Sequence, residues 1–337
     1  MKDTKRIILN ALFFILLILA TYYIIFKDFD MRDILNNIKN LDPKYLLLSL
    51  LFMCLYLILE GANINLILKS FKEKLSFFKA IIYSFVCFFF SAITPGGSGG
   101  QPITIFYLRQ EKIKVSHSAL AYLVQLFGYN VSSLLLGIIS AILHPEIFQN
   151  QLLLLFIVGS IFLLIPISLT VIGIFSYPLL KKLVDLLIKI ISIFKPKNLE
   201  SIKEKTYEEL QVFHDGSDYI KTHKLEFSKS FILSFIQVIT IYTIPYFIFR
   251  SFGLDGYSVI FFIQLQAILH NATASIPLPG AVGITETVYL LIFSFVYPYN
   301  LLHSSLIVSR IFTFYIFVLI SLIIFLLARA LKKRQNI

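Results

Sequence analysis

Three ionisable residues, Glu60, Glu286 and Arg310, stand inside stretches of strongly apolar sequence. An ion in hydrocarbon costs roughly 2.5 to 3.5 kcal/mol on insertion scales, so each needs a counter-charge, water or a ligand, and each is a candidate functional residue. Two stretches break the apolar pattern: Thr94-Pro-Gly-Gly-Ser-Gly-Gly-Gln-Pro102, and a looser echo, Pro277-Leu-Pro-Gly-Ala-Val-Gly-Ile-Thr-Glu286. Glycine disfavours helix by about 1 kcal/mol and proline by about 3 relative to alanine, so helices must end here. Non-helical backbone survives at membrane depth only where protein or a water-filled cavity satisfies its amides and carbonyls. Function is therefore expected at the two breaks.

Beyond each break a short helix is expected to start inside the membrane, at Pro102 and at Thr285, since proline suits a first helical position and threonine a cap. A helix N-terminus flanked by glycine amides attracts anions, and in a bilayer the natural anion is a lipid phosphate. On that reading Thr94, Gly99, Gly100, Gln101, Gly283 and Thr285 bind a substrate headgroup, with Glu60, Glu286 and Arg310 beside them. The same glycines equally suit a tight turn and close helix packing. Glu286, just past its cap, is favoured by the helix dipole and offsets some of the positive potential there. Arg310, on the following helix, either pairs with Glu286 or meets a phosphate, and both residues are expected to face the interior. Gln101, Gln125, Asn130, Gln264, Gln266, His270, Asn271 and Thr273 either line an aqueous cavity or bond helix to helix.

Other chemistries find no pattern. No Gly-Lys-Ser/Thr follows the glycines, which excludes a phosphate-hydrolysing P-loop. Ser98 lies in Gly97-Ser98-Gly99, without the Gly-x-Ser-x-Gly setting of a nucleophile elbow. His270 has no carboxylate or cysteine at ligand spacing, and Cys54 and Cys87 read as inert core residues, so no metal or cofactor is expected.

The elements that must position these residues follow from composition. Hydrophobic residues make up 58% of the 337 positions, 34 of them Phe, mean hydropathy is +0.83 and only 15% are charged. No soluble fold can hide such a chain, so the fold class is an all-α membrane protein. Segments 7–26, 45–68, 115–143, 152–175, 228–249 and 303–328 approach or exceed the ~20 residues that span a bilayer, which gives about six transmembrane helices. The formal charge of +11 concentrates at helix ends and in one central segment, a topology signal and an attraction to anionic lipid rather than a nucleic-acid groove. It places both termini and residues 176–226 in the cytoplasm of a multi-pass cell-membrane protein.

From Phe77 the chain is apolar to the first break and returns by an arm only about 10 Å long, so 77–109 reads as a re-entrant hairpin with basic, cytoplasmic flanks. The second break sits in a region without Lys or Arg between Arg250 and Arg310, and its hairpin is expected to open to the outside. Helix, hairpin and helix thus occur twice, over 45–143 and 228–328, in opposite orientation, with 152–175 as the linking helix. His117-Ser-Ala-Leu120 and His303-Ser-Ser-Leu306 echo each other at similar distances past the breaks. Inverted repeats with broken helices are a transporter architecture. In the central segment, 179–194 reads as an interfacial amphipathic helix and 198–225 as a short soluble helix and turn, with 195–226 a surface for a soluble enzyme partner.

Gly99-Gly-Gln-Pro102 leading to Tyr107, and the run Pro279-Gly-Ala-Val-Gly-Ile-Thr-Glu286, resemble the lysylphosphatidylglycerol synthase transmembrane family, the flippase-like membrane region of multiple peptide resistance factor proteins. The resemblance covers nearly all of residues 7–328; at Ala281 relatives often carry a further glycine. It implies a protein that moves a phospholipid, such as lysyl-phosphatidylglycerol, between leaflets. The family name also implies a phosphatidylglycerol lysyltransferase using lysyl-tRNA, but the cytosolic domain that performs that transfer in bifunctional members is not expected within this sequence. Without a nucleotide motif, any driving force is expected from an ion gradient or from the lipid gradient itself.

Overall fold

The computed structural model describes residues 31–148, 150–193, 199–222, 224–276 and 278–335; the expected first helix, 7–26, lies outside them. The described residues form an all-α membrane protein. The helices are α1 (Met31–Lys39), α2 (Pro43–Ser70), α3 (Phe77–Ala92), α4 (Gly100–Gln110), α5 (Val115–Leu143), α6 (Asn150–Phe175), α7 (Tyr177–Ile193), α8 (Leu199–Thr222), α9 (Lys224–Ser251), α10 (Val259–Thr273), α11 (Ile284–Phe293), α12 (Tyr299–Arg310) and α13 (Ile316–Gln335). Five helical stretches, 43–70, 115–143, 151–175, 224–251 and 299–330, are long and apolar enough to span a bilayer. They match the sequence expectation segment for segment.

The outer surface explains the composition. On α6, Leu154, Ile161 and Phe162 face outward with their side chains uncovered. A large apolar face of this kind is stable only in lipid. α6 also carries Pro166 in its interior, and membrane helices tolerate such a break because neighbouring groups re-satisfy the backbone.

The two halves are related by exchange. α2 and α9 lie antiparallel: Asp42 N at the start of α2 donates to Ser251 O at the end of α9 (2.9 Å). Further along, Asn63 Nδ2 donates to Ser230 O (3.1 Å) and Ser234 Oγ (2.9 Å), nearer the start of α9. Each is the leading helix of its half, so one half runs opposite to the other. Each hairpin packs on the leading helix of its own half and also on a helix of the other half, α3 on α2 and α13, α10 on α9 and α5. The two non-helical turns, Pro95–Gly97 and Pro279–Ala281, touch each other.

The central segment departs from expectation. α7 has the expected amphipathic pattern, with Leu186, Leu187, Ile190 and Ile193 exposed among Lys181, Lys182 and Lys189. In place of a short helix and turn, α8 is one 24-residue helix docked on the bundle. Ser116 N donates to Glu209 Oε2 (3.0 Å), the Tyr177 and His214 rings lie 4.3 Å apart, and Phe213 is buried. Tertiary packing of one face stabilises a helix whose overall polarity reads as a solvated segment.

Candidate functional site

Both turns are built alike. Pro95 and Pro279 open them with their fixed φ, and Gly96 (φ 59°, ψ 22°) and Gly280 (φ 59°, ψ 13°) follow in the left-handed region. Gly97 (φ 69°) and Ala281 (φ 48°) are left-handed as well. Two consecutive residues of this hand reverse the chain sharply enough for the short arms α4 and α11 to fold back on α3 and α10. The arms begin slightly earlier than proline and threonine preferences suggest, at Gly100 rather than Pro102 and at Ile284 rather than Thr285. Gly99 (φ -88°) and Gly283 (φ 96°) occupy the cap positions.

The turns are secured differently. In the first, Thr94 Oγ1 donates to Phe90 O (2.6 Å) and accepts from Gly99 N (2.9 Å). A Cβ at Gly100 would fall 2.6 Å from Cys87 O and still closer to Ser91 Oγ, so α4 is seated directly on α3. In the second, Glu286 does the fastening. Its Oε2 accepts from Gly283 N (2.6 Å), and its Oε1 accepts from Arg310 Nε (2.7 Å). Arg310 Nη2 also reaches Gly280 O (3.5 Å), and its guanidinium lies 5.4 Å from the Phe314 ring centre. Immediately after Arg310 the helix widens into a π-helical turn, Ile311–Tyr315, that carries Phe314 against Gly280. π-turns inside helices recur at functional sites.

Between the turns lies a cavity of about 390 Å³. Gly96, Gly97, Gly280, Ala281 and Thr285 supply its turn side, His270 and Thr273 one wall, and Tyr56, Phe88 and Phe314 the others. A smaller lobe of about 140 Å³ shares Tyr56, Phe88 and Ser91 with it and adds Glu60, Cys87, Gln101, Gln125 and Tyr129. Glu60 is 9% exposed and, among the described residues, has no ion-pair partner. Cys87 is core, as expected, and also borders the smaller lobe.

Of the residues expected to bind substrate, Glu60 and Gln101 reach the small lobe and Thr285 the large one. Thr94, Gly99, Gly100 and Gly283 build the turns, while Glu286 and Arg310 meet in the interior as expected but line neither lobe. Gln125, His270 and Thr273 join the cavity; Gln264 bonds the ring of His144 (2.9 Å) and Asn271 the hydroxyl of Ser160 (3.5 Å), both helix-to-helix contacts. Tyr56 and Tyr129 escaped the sequence reading. The signal was present: Tyr56 precedes Glu60 by four residues and Tyr129 follows Gln125 by four, the spacing that puts side chains on one helix face.

Comparison with known proteins adds a family. The model of the lysylphosphatidylglycerol synthase TM region matches residues 7–321. A UPF0104 membrane protein of Archaeoglobus fulgidus is 24% identical over 321 residues, covering 89% of this chain and 92% of that protein.

Proposed function

The chain belongs to the lysylphosphatidylglycerol synthase TM family, and from that premise we propose that it is a lipid transporter, moving a phosphate-bearing lipid such as phosphatidylglycerol or its lysyl ester between leaflets. One observation carries the reading: the two broken hairpins meet around a mainly apolar cavity that carries a few polar side chains, Ser91, His270, Thr273 and Thr285, inside an apolar helical body. Broken helices meeting at the interface of inverted repeats are where transporters hold their substrates. The Thr285 hydroxyl and the left-handed Gly96 and Gly280 on the cavity wall suit phosphate oxygens, while Tyr56, Phe88 and Phe314 give the glycerol and acyl stem an apolar wall. Acyl chains remain in the bilayer, so only the headgroup needs the cavity.

In this reading both termini and α7–α8 face the cytoplasm of the cell membrane, and α8 is the surface on which a soluble enzyme partner docks. Cysteines substituted at His144 and at Lys205 are expected to label from opposite sides; labelling from one side removes the inverted arrangement. Transport itself is tested by reconstituting the full chain into vesicles with a fluorescent phosphatidylglycerol and measuring the fraction that becomes accessible to an external quencher. Accelerated exchange relative to empty vesicles is expected, and its absence for both phosphatidylglycerol and lysyl-phosphatidylglycerol rejects the proposal. Adding lysyl-tRNA to the same vesicles tests the transferase alternative, for which new lysyl lipid is the readout.

A further inference from the structure

Among the described residues, Glu60 is the one charged residue on the walls of either lobe. It sits on α2, buried, beside the shared wall formed by Tyr56, Phe88 and Ser91. The titratable groups facing it are Tyr56 on its own helix, Cys87 on α3, and Tyr122 and Tyr129 on α5. α4 offers Gln101; further off, α9 offers Tyr242 beside Tyr129, and α10 offers His270 on the wall of the larger lobe. The π-turn contributes the Phe314 ring there. No Lys or Arg is among them. The contrast with Glu286, which has its arginine and its backbone amide, is complete.

A carboxylate removed from water without a cation is neutralised, by a proton or by a positive group entering the site. An anionic headgroup arriving beside an ionised Glu60 would add like-charge repulsion in a space of low dielectric. We propose that Glu60 is a proton-coupling site: it binds one proton before an anionic lipid headgroup enters the cavity, and loses it when the headgroup leaves. This rests on the transport reading above. In the loading step a proton from water joins a Glu60 carboxylate oxygen, giving a neutral acid beside the headgroup's single negative charge. In the release step that O–H bond breaks, the proton passes to water on the far side, and the returning carboxylate charge disfavours re-entry of the anion. Proton and anion travel together, so an acidic compartment drives lipid away from itself. Tyr56 and Ser91 line both lobes and Tyr129 lines the smaller one, so their hydroxyls offer the proton a route from Glu60 toward the larger lobe.

The experiment uses the full chain in vesicles carrying fluorescent phosphatidylglycerol, with a pH step imposed across the membrane. Wild-type exchange is expected to follow the step, by up to roughly tenfold per pH unit, the limit for one titrating group. Glu60→Gln, a permanently neutral stand-in, is expected to exchange lipid at a rate indifferent to pH and to move no protons with it. Glu60→Asp, which keeps the carboxyl, is expected to retain the response. A wild-type pH response surviving unchanged in Glu60→Gln overturns the proposal. Infrared spectra of the purified protein give a readout free of transport: within the acid C=O absorption of the 19 Asp and Glu residues, the wild-type minus Glu60→Gln difference is expected to show one band at acid pH that disappears at alkaline pH. If no variant moves lipid but this band behaves so, the transport reading fails and the proton site stands. If the band is the same in wild type and Glu60→Gln, the proton site fails. Should Glu60→Gln not fold, Glu60→Asp decides, since a proton site requires its band to shift from that of wild type.

Discussion

The two hairpins share a left-handed start, Gly96-Gly97 and Gly280-Ala281, then diverge at Ser98-Gly99 (right-handed helical) and Val282-Gly283 (extended, then φ 96°), and they differ in electrostatics. In the first, the turn is held by neutral groups, the Thr94 hydroxyl and close seating of Gly100, and the nearby Glu60 faces the cavity without a cation among the described residues. In the second, the corresponding turn carries Leu278 where the first has Thr94, and a buried ion pair does the fastening. A glycine-rich reversal therefore needs a tie, but not a particular one. Where the tie is ionic, the carboxylate is paired; where it is neutral, a carboxylate is left on the cavity wall.

Removing the ionic tie should have the largest effect. Arg310→Ala and Glu286→Ala each strand a buried charge, and are expected to destabilise the folded protein by about 3 to 5 kcal/mol, seen as lost monodisperse yield and a lowered Tm in detergent. The double change Glu286→Leu with Arg310→Met should recover much of this. Recovery together with retained lipid exchange would confine the pair to structure. Recovery with exchange abolished would return it to the site and weaken the contrast with Glu60.

Gly280→Ala comes next. A Cβ there would meet Phe314 Cζ at 2.5 Å and must also adopt φ 59°, so about 2 to 4 kcal/mol is expected from overpacking and left-handed strain together. In the first hairpin Gly100→Ala forces α4 away from Cys87 and Ser91, at about 1 to 3 kcal/mol. Because Ile284 holds the matching position in the second hairpin, only the first is expected to need a small residue there; equal tolerance of Gly100→Ala and Ile284→Ala would show that the arms close alike.

Thr94→Val keeps the shape and removes both hydrogen bonds, for an expected loss of about 1 kcal/mol measured by thermal unfolding. The smallest pair of effects is reciprocal. Gly97→Ala should cost about 1 kcal/mol because its φ of 69° is strained for a residue with a Cβ, whereas Ala281→Gly should gain up to about 1 kcal/mol by relieving the same strain at φ 48°. A loss at both positions would mean that the turns are less alike than their dihedral angles indicate.

Much of this was legible in the sequence. The spans follow from hydropathy over lengths set by the bilayer, and the breaks follow from glycine and proline, both local properties. That Glu286 and Arg310 face the interior was legible too, since a charge in an apolar segment needs compensation; that they compensate each other was one of two alternatives until the structure paired them. The docking of α8 was not. Its charged residues describe one face, and only packing on α5 and α6 decides where the other face goes.

The amino-acid sequence alone determined that this is a helical membrane protein, where its helices break, and which charges need partners, because each depends on the free energy of short segments in water or lipid. The tertiary structure decided which of those charges were satisfied. Glu60 and Glu286 are both carboxylates in apolar surroundings, and nothing in their neighbouring residues says that one meets an arginine and the other a cavity. That depends on how α3 and α10 cross into the opposite half, a long-range arrangement set by the packing of the whole bundle.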